Sequence, residues 1–435
     1  MNKTNWHHIN IILIGSILTI TILSLSTKIL PLPNQIDYLI SIKKREDKIH
    51  YEQALSAKPD SASLLIAEPV KAVHYVNRNK GLNQFFDALD SLSSNAAYSV
   101  HIGYFGDSMI EGDLITQDVR KKFQKAFGGR GVGFMPVTSI VSSFRNTIGH
   151  KFSENWSEYN FNTPLPHGYR LGPSGHVFVN QPGEWVSFSS KGNPFNNAYV
   201  FMEPQTDIQF MLNTDTGTIH QQVPYTSGIQ TLKLPLGGTD KVTLTIESGE
   251  ALFHGISFDS QSGIFVDNFS FRGCSGIPLA ITSEQVLQHI DSSLNYRLVI
   301  LQYGLNVLSH GSEYNWYKKG MQRVINHIKK SLPNASILLV GVADRAYFEN
   351  GIWLTEPDIY KLLKIQNELA VENDIGFYNL FSEMGGENTM VSWVEDSIPK
   401  LAANDYTHLN GLGARRVANL IYEYLYAQYK MRKTL

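Results

Sequence analysis

The sequence predicts an α/β protein with a mostly parallel sheet covered on both faces, interrupted by an all-β sandwich and preceded by an N-terminal transmembrane helix. Three observations predict it. Strand-like and helix-period runs alternate in residues 79–145 and again in 264–435. Residues 146–263 between them lose helical periodicity and show short alternating runs separated by turns. A long uncharged apolar stretch stands near the start of the chain.

That stretch runs from Ile9 to Thr27, between Lys3 and Lys28, and carries no charge. At helical rise it just crosses a bilayer core of about 30 Å. It is either an uncleaved anchor or a signal peptide occupying residues 1–28. Ser24-Leu25-Ser26 is a poor cleavage site, which favours the anchor. Lys43, Lys44, Arg45 and Lys48 lie on its far side, so the positive-inside rule does not by itself support export. Residues 29–78, with Pro31, Pro33, Pro59 and Pro69, read as a stalk or linker.

The α/β part opens with a helical stretch from Leu82 to Leu92 and a buried strand from Tyr98 to Phe105. A helix from Leu114 to Phe127 follows, with Ile115, Val119, Phe123 and Phe127 four apart on one face. After the insertion, strands are expected at Ile264–Phe271, Arg297–Tyr303, Ser336–Val342 and Ile375–Leu380. They alternate with helices at Ser283–Leu294, Tyr314–Leu332, Asp358–Asn373 and Leu412–Tyr429. Such alternation implies parallel strands, and open parallel sheets place their active sites at the strands' carboxyl ends. In 146–263 about seven strands are expected, at 176–179, 184–188, 199–202, 207–212, 231–236, 241–246 and 251–258.

Composition removes several function classes. Net charge is -2 and the basic residues form no block beyond Lys43-Lys44-Arg45, so nucleic acid has no electrostatic footprint to bind. One cysteine, Cys274, rules out an intrachain disulfide framework and a cysteine-cluster metal site, and the histidines are not at zinc-ligand spacing. No metal and no cofactor is expected. Gly128-Gly129-Arg130-Gly131-Val132-Gly133 is similar to a phosphate-binding loop, but it follows a helix and lacks the Lys-Ser/Thr pair. The 11% aromatic content suits sugar-stacking surfaces and equally a β-rich core.

Four short segments carry chemistry. Gly106-Asp107-Ser108-Met109-Ile110-Glu111-Gly112-Asp113 lies between a strand and a helix, where a serine on a sharp turn stands exposed with a helix N-terminus behind it. Asp405-Tyr406-Thr407-His408 lies just before the last helix, and an aspartate three residues ahead of a histidine can fix its tautomer. Gln302-Tyr303-Gly304-Leu305-Asn306 and Arg272-Gly273-Cys274-Ser275-Gly276 each follow a strand. Asn306 could donate its amide to an oxyanion, and a glycine could present a backbone N–H unobstructed by Cβ. Taken singly, each segment has an ordinary explanation as a helix cap or turn residue. Cys274 reads as a small buried thiol.

Together and in this order, the four segments resemble the blocks of the SGNH (GDSL-like) hydrolases: a GDS serine, a glycine, a G-x-N asparagine and a D-x-x-H pair. The resemblance covers the α/β segments and implies an SGNH-type three-layer sandwich. It implies Ser108 as nucleophile, His408 as base and Asp405 as its orienter, with an oxyanion hole from Ser108, Gly276 and Asn306; Gly273 is the alternative glycine. The acidic residue that often follows the block-three asparagine is here Val307. GDSxxxGD, a helix ending in FGGRGVGFMP, and a β-rich insertion narrow the resemblance to bacterial peptidoglycan O-acetylesterases, whose insertion resembles a carbohydrate-binding module. The expectation is a serine esterase that removes O-acetyl groups from an extracytoplasmic polysaccharide, with peptidoglycan foremost. Its partners would be that acetylated glycan, the membrane and a membrane-bound acyltransferase, and its place the periplasm or cell envelope. Two alternatives stand beside it: a polysaccharide O-acetyltransferase, and a catalytically silent glycan-binding protein.

Overall fold

The computed structural model describes residues 77–95, 98–309 and 311–433. The chain enters through α1 (Asn83–Ser94), β1 (Ser99–Gly106) and α2 (Thr116–Phe127). Short antiparallel strands then succeed one another: β2 (Gly133–Met135), β3 (Ile148–Phe152), β4 (Ser157–Asn160), β5 (His176–Val179), β6 (Trp185–Ser190) and β7 (Phe195–Pro204). Next come β8 (Ile208–Thr214), β9 (Gly217–Val223), β10 (Gln230–Thr239), β11 (Lys241–Ser248) and β12 (Ala251–Asp259). Alternation resumes with β13 (Gly263–Ser270), α3 (Glu284–Leu294), β14 (Tyr296–Gln302), α4 (Asn315–Ser331) and β15 (Ser336–Val340). A hairpin of β16 (Ala346–Glu349) and β17 (Ile352–Thr355) precedes α5 (Asp358–Asn373) and β18 (Gly376–Tyr378). The chain closes through α6 (Leu380–Met384), α7 (Thr389–Glu395) and α8 (Gly411–Arg432).

β13, β1, β14, β15 and β18 lie in that order in one sheet, every pair parallel. Their near-continuous apolar runs are buried on both faces, as a sheet between two helical layers requires. Phe85 of α1, Phe123 of α2 and Tyr422 of α8 interlock edge-to-face at 6.0 and 4.9 Å, and Phe86 meets Tyr429. A second helical group, α3, α4 and α5, packs together, with Lys318 of α4 bridging Glu368 and Glu372 of α5. The register does the work that matters for function. Gly106 pairs with Ser270 and with Gln302, and Gln302 pairs with Val340, so four connections leave the sheet at one carboxyl edge.

The antiparallel strands form two sheets, β10-β7-β12-β5-β4 with β2 beside β12, and β3-β6-β11-β8-β9. Their inner faces share one apolar core, in which Phe188 meets Phe258 at 4.9 Å and Phe210 meets Phe253 at 6.2 Å. Ten strands, β3 to β12, stand here among the described residues, against the seven expected. The three missed are the polar or mostly exposed β3, β4 and β9, which lack a clean two-residue alternation. β2 lies N-terminal to the expected boundary at 146, yet pairs Met135 with Ile256. Phe134 beside it stacks on Phe201 and meets Phe269, joining the two cores.

The expected anchor at 9–27, and the stalk up to residue 76, lie outside the described residues. Among the described residues no helix is long and apolar enough to cross a membrane.

Candidate active site

Ser108 sits in a tight turn directly after β1. Gly106 is obligatory there, since a Cβ would stand 2.9 Å from Ile110 and 3.2 Å from the Gln302 carbonyl. Asp107 Oδ1 accepts the Met109 N–H at 3.0 Å, an Asx turn that throws Ser108 outward. A 3₁₀ turn, Glu111–Asp113, follows, and Asp113 takes a positive φ of 69°. This corrects one expectation: α2 begins only at Thr116, so no α-helix N-terminus stands directly behind the serine. Asp113 is held instead by Arg120, whose two terminal nitrogens each donate at 2.8 Å, and by the Thr116 and Thr147 hydroxyls. Burial alone would raise this carboxyl, but the Arg120 guanidinium outweighs it and holds Asp113 below its ordinary range.

His408 reaches the serine from the opposite direction. Ser108 Oγ and His408 Nε2 are 2.9 Å apart, and His408 Nδ1 lies 2.7 Å from Asp405 Oδ2. Asp405 Oδ1 also accepts the backbone N–H groups of Thr407 and His408 at 3.0 and 2.9 Å. Burial would raise the Asp405 carboxyl; the bonds from His408 and Thr407 more than offset it and keep it below the usual value. An ionised carboxylate only accepts, so it fixes the proton on Nδ1 and leaves Nε2 to accept from the serine hydroxyl. The loop is half-open, with side-chain exposures of 51% for Asp405 and 45% for His408. Its shape comes from a neighbour the sequence did not flag. The Tyr406 ring, at φ 54°, stacks on Trp353 of β17 at 3.8 Å, while the Tyr406 carbonyl accepts the Ala346 N–H and its hydroxyl donates to Glu395.

The three expected oxyanion donors are placed unequally. The Ser108 N–H bonds to nothing else among the described residues. Asn306 Nδ2 donates to Asp107 Oδ2 at 2.8 Å and makes a longer contact, 3.4 Å, to the Cys274 carbonyl. Gly276 is buried and its N–H points at Cys274 Sγ at 3.3 Å, a weak acceptor, while a Cβ there would press into the Tyr303 ring at 2.8 Å. Gly273 is exposed with open space around it. The Cys274 thiol is buried and pushed up to about 11 by that burial, which keeps it protonated and inert. Asp107 is the functional neighbour that sequence reasoning passed over. It is 1% exposed, and burial raises it to about 6 against the bonds from Met109 and Asn306 and the nearby His408. It orients Asn306, the service for which Val307 has no side-chain oxygen. The signal was present, since Asp107 is the middle residue of GDS.

Beside the nucleophile turn opens a cleft of about 350 Å³. Glu111, Ser270 and Arg272 wall it from the α/β side, and Ile140, Arg145 and Glu158 from the segment that leads into the antiparallel sheets. Glu111 is neutralised by Arg272 at 2.6 Å. Among the described residues no three His, Cys, Asp or Glu side chains gather as metal ligands.

A parallel sheet with a half-buried serine, a histidine and an aspartate gathered at its carboxyl edge is the arrangement that the SGNH resemblance implied. Comparison with solved structures bears on the fold. A peptidoglycan O-acetylesterase superposes with a TM-score of 0.69 at 19% identity, covering 82% of this chain and 99% of that one. The covered share exceeds what the α/β segments alone hold, so the likeness runs into the antiparallel region. An acetyl xylan esterase (21% identity, 38% of this chain and 81% of that one, TM-score 0.27) and a family two carbohydrate esterase from Cellvibrio japonicus (10%, 63% and 98%, 0.25) are more distant. Neither a protein-family model nor a curated protein matches the sequence. The likeness establishes the fold.

Proposed function

We propose that the protein is a serine O-acetylesterase acting on an extracytoplasmic polysaccharide, with peptidoglycan as the foremost substrate. The observation that carries this is the unbroken relay from Asp405 through His408 to Ser108, at 2.7 and 2.9 Å. In it, His408 Nε2 takes the Ser108 proton as Oγ attacks the acetyl carbonyl. The tetrahedral oxyanion is met by the Ser108 N–H and by the Asn306 hydrogen now resting on the 3.4 Å contact. The Gly276 N–H can join them by exchanging its sulfur acceptor for the stronger oxyanion. His408 then protonates the leaving sugar oxygen, the acetyl group stays on Ser108, and water, activated by the same imidazole, releases acetate. An acetyl ester is small and neutral, which suits a half-buried nucleophile served by a half-exposed histidine loop. The peptidoglycan assignment draws its support from the GDSxxxGD and FGGRGVGFMP segments and from the TM-score of 0.69. The extracytoplasmic assignment draws its support from the uncharged stretch at 9–27.

Ser108→Ala tests the reading. It should lower hydrolysis of p-nitrophenyl acetate by at least about 10³-fold while leaving the unfolding midpoint within a few degrees. A variant that retains the wild-type rate would remove Ser108 from the chemistry. Acetate release from O-acetylated peptidoglycan, set against acetylated xylan, tests the substrate.

A further inference from the structure

Arg145 is 4% exposed, and its Nε and Nη1 atoms have no hydrogen-bond partner. The nearest carboxylate, Asp113, is 4.0 Å away and already spent on Arg120, which takes both of its oxygens. Two buried guanidiniums thus share Asp113, and while Asp267 also acts on Arg120, Arg145 has no carboxylate of its own. A buried unpaired cation is costly, so its retention calls for a counter-charge that arrives from outside. Arg145 lines two cavities at once. One is the cleft that Glu111 and Arg272 wall beside the nucleophile turn; the other, about 870 Å³, lies over the sheet formed by β3, β6 and β11.

The second cavity is built by register. Lys151 of β3 lies opposite Ser187 of β6, and β11 places Lys241, Thr243 and Thr245 opposite Ser189, Ser187 and Trp185. Alternation sends all of these to the outer face while Val186, Phe188, Val242 and Leu244 fill the core. Lys191 completes the set and reaches the Arg145 carbonyl at 3.0 Å. Lys151, Lys191, Lys241 and Arg145 line this cleft together with Trp185 and a row of hydroxyls, and no carboxylate lines it. None of the three lysines forms an ion pair among the described residues. Asp215 and Asp240 stand at the Lys241 end of the strand outside the lining, Asp215 accepting backbone N–H groups there. Glu184 is buried and bonded to Ser153 and Asn155. In the cleft beside the nucleophile turn, Glu158 is met by His176 at 3.3 Å and by Thr138 and Asn160.

We propose that the outer face of β3, β6 and β11 is a docking track for a carboxylate-bearing glycan, and that Arg145 hands the strand from this track into the cleft beside the nucleophile turn, which Glu111 also lines. The inference rests on the esterase reading for its purpose, though not for its geometry. The cations take the carboxylates, the Ser and Thr hydroxyls the sugar hydroxyls, and the Trp185 ring offers a face to a pyranose. Arg145, common to both cavities, makes the track continuous with the nucleophile turn. A net charge of -2 and a single aromatic on the track disfavour nucleic acid as its occupant.

The test uses the full chain carrying Ser108→Ala, so that binding is read without turnover. Sedimentation with insoluble O-acetylated peptidoglycan measures binding, with the same glycan after methyl esterification of its carboxylates, O-acetylated polygalacturonate and neutral acetylated xylan beside it. Lys151→Glu with Lys241→Glu, both at exposed positions, should weaken binding to peptidoglycan at least tenfold and to neutral xylan less than twofold. Methyl esterification should cost the unreversed protein a similar factor, and rising salt should erase the difference. Preference for peptidoglycan over polygalacturonate would assign the carboxylate to the amino-sugar strand or its peptide, and the reverse to a uronate; either supports the track. In the Ser108-containing protein, Arg145→Met should raise KM for the polymer at least tenfold more than KM for p-nitrophenyl acetate. Equal binding by the charge-reversed protein, or tighter binding to anionic lipid vesicles or single-stranded DNA than to any glycan, would overturn the proposal. Lysine-dependent binding with no acetate release by the wild type would keep the track and remove the esterase.

Discussion

The nucleophile turn and the histidine loop face each other across 2.9 Å but are built in opposite ways. Residues 106–113 are anchored in the sheet: Gly106 is the last residue of β1, Asp107 and Asp113 are at most 1% exposed, and Asn268 donates to the Ile110 carbonyl from β13. Residues 403–410 are a half-exposed loop whose geometry comes from Asp405 folding back on its own backbone, from an aromatic stack and from backbone bonds such as Ala403 N–H to the His408 carbonyl. The difference teaches that the two halves fail differently. Damage to the turn should unfold the body, whereas damage to the loop should slow the chemistry and leave the fold intact.

The sharpest way to break this contrast is Asp405→Asn. An amide can turn its NH₂ toward His408 Nδ1, which favours the tautomer with the proton on Nε2 and leaves nothing to accept from Ser108. A loss of about 10³- to 10⁴-fold in kcat is expected. Stability should change by less than about 1 kcal/mol, because the Asp405–His408 pair is about half exposed and screened by solvent. A large fall in the urea midpoint would show the loop to be structural as well as chemical.

Asp113→Ala probes the other half. It takes the shared carboxylate from Arg120 and Arg145 in a fully buried site and should cost about 3–5 kcal/mol in chemical unfolding. The pH dependence carries the same signature. Asp113 is held below the ordinary carboxylate value, so its contribution is complete above about pH 4 and is lost as pH falls through its lowered value. Wild-type stability should therefore decline below about pH 4, and the variant should show a shallower acid limb over that range. An unchanged acid limb would mean that Asp113 is not the group whose protonation loosens the turn.

The contrast also explains what could be read from the chain. Both halves of the relay were legible, because Ser108, Asp405 and His408 sit in short local segments whose spacing encodes their geometry. The parallel strands were legible from their apolar runs, and β11 from the alternation of Val242, Leu244 and Ile246 with polar residues. Support from elsewhere in the chain was not. Nothing at Val266 or Asn268 announces that β13, more than a hundred residues after β1, will lie beside it and lock the turn. Gly276 was chosen by position in a motif; that its N–H points at Cys274 Sγ depends on a local turn no spacing reveals. The hairpin that carries Trp353 was missed because its strands are four residues each, too short for a period to show.

Trp353→Ala offers the smallest effect and the finest test. Stacking on Tyr406 at 3.8 Å and 13° is worth about 0.5–1.5 kcal/mol beyond buried area for such a pair. Tyr406 is held at a positive φ of 54°, a conformation most side chains avoid. Removing the stack lets the residue relax, and the Asp405 and His408 side chains on either side of it then sample more positions. If half or more of the stacking energy serves to hold His408 in line, kcat should fall about 1.5- to twelvefold. KM for p-nitrophenyl acetate should hardly move, since Trp353 acts on the loop through its stack on Tyr406. Trp353→Phe keeps a stacking face and should recover most of the rate. A loss that appears in KM, or one that Phe fails to restore, would assign Trp353 to substrate contact and leave the loop to be held by its hydrogen bonds.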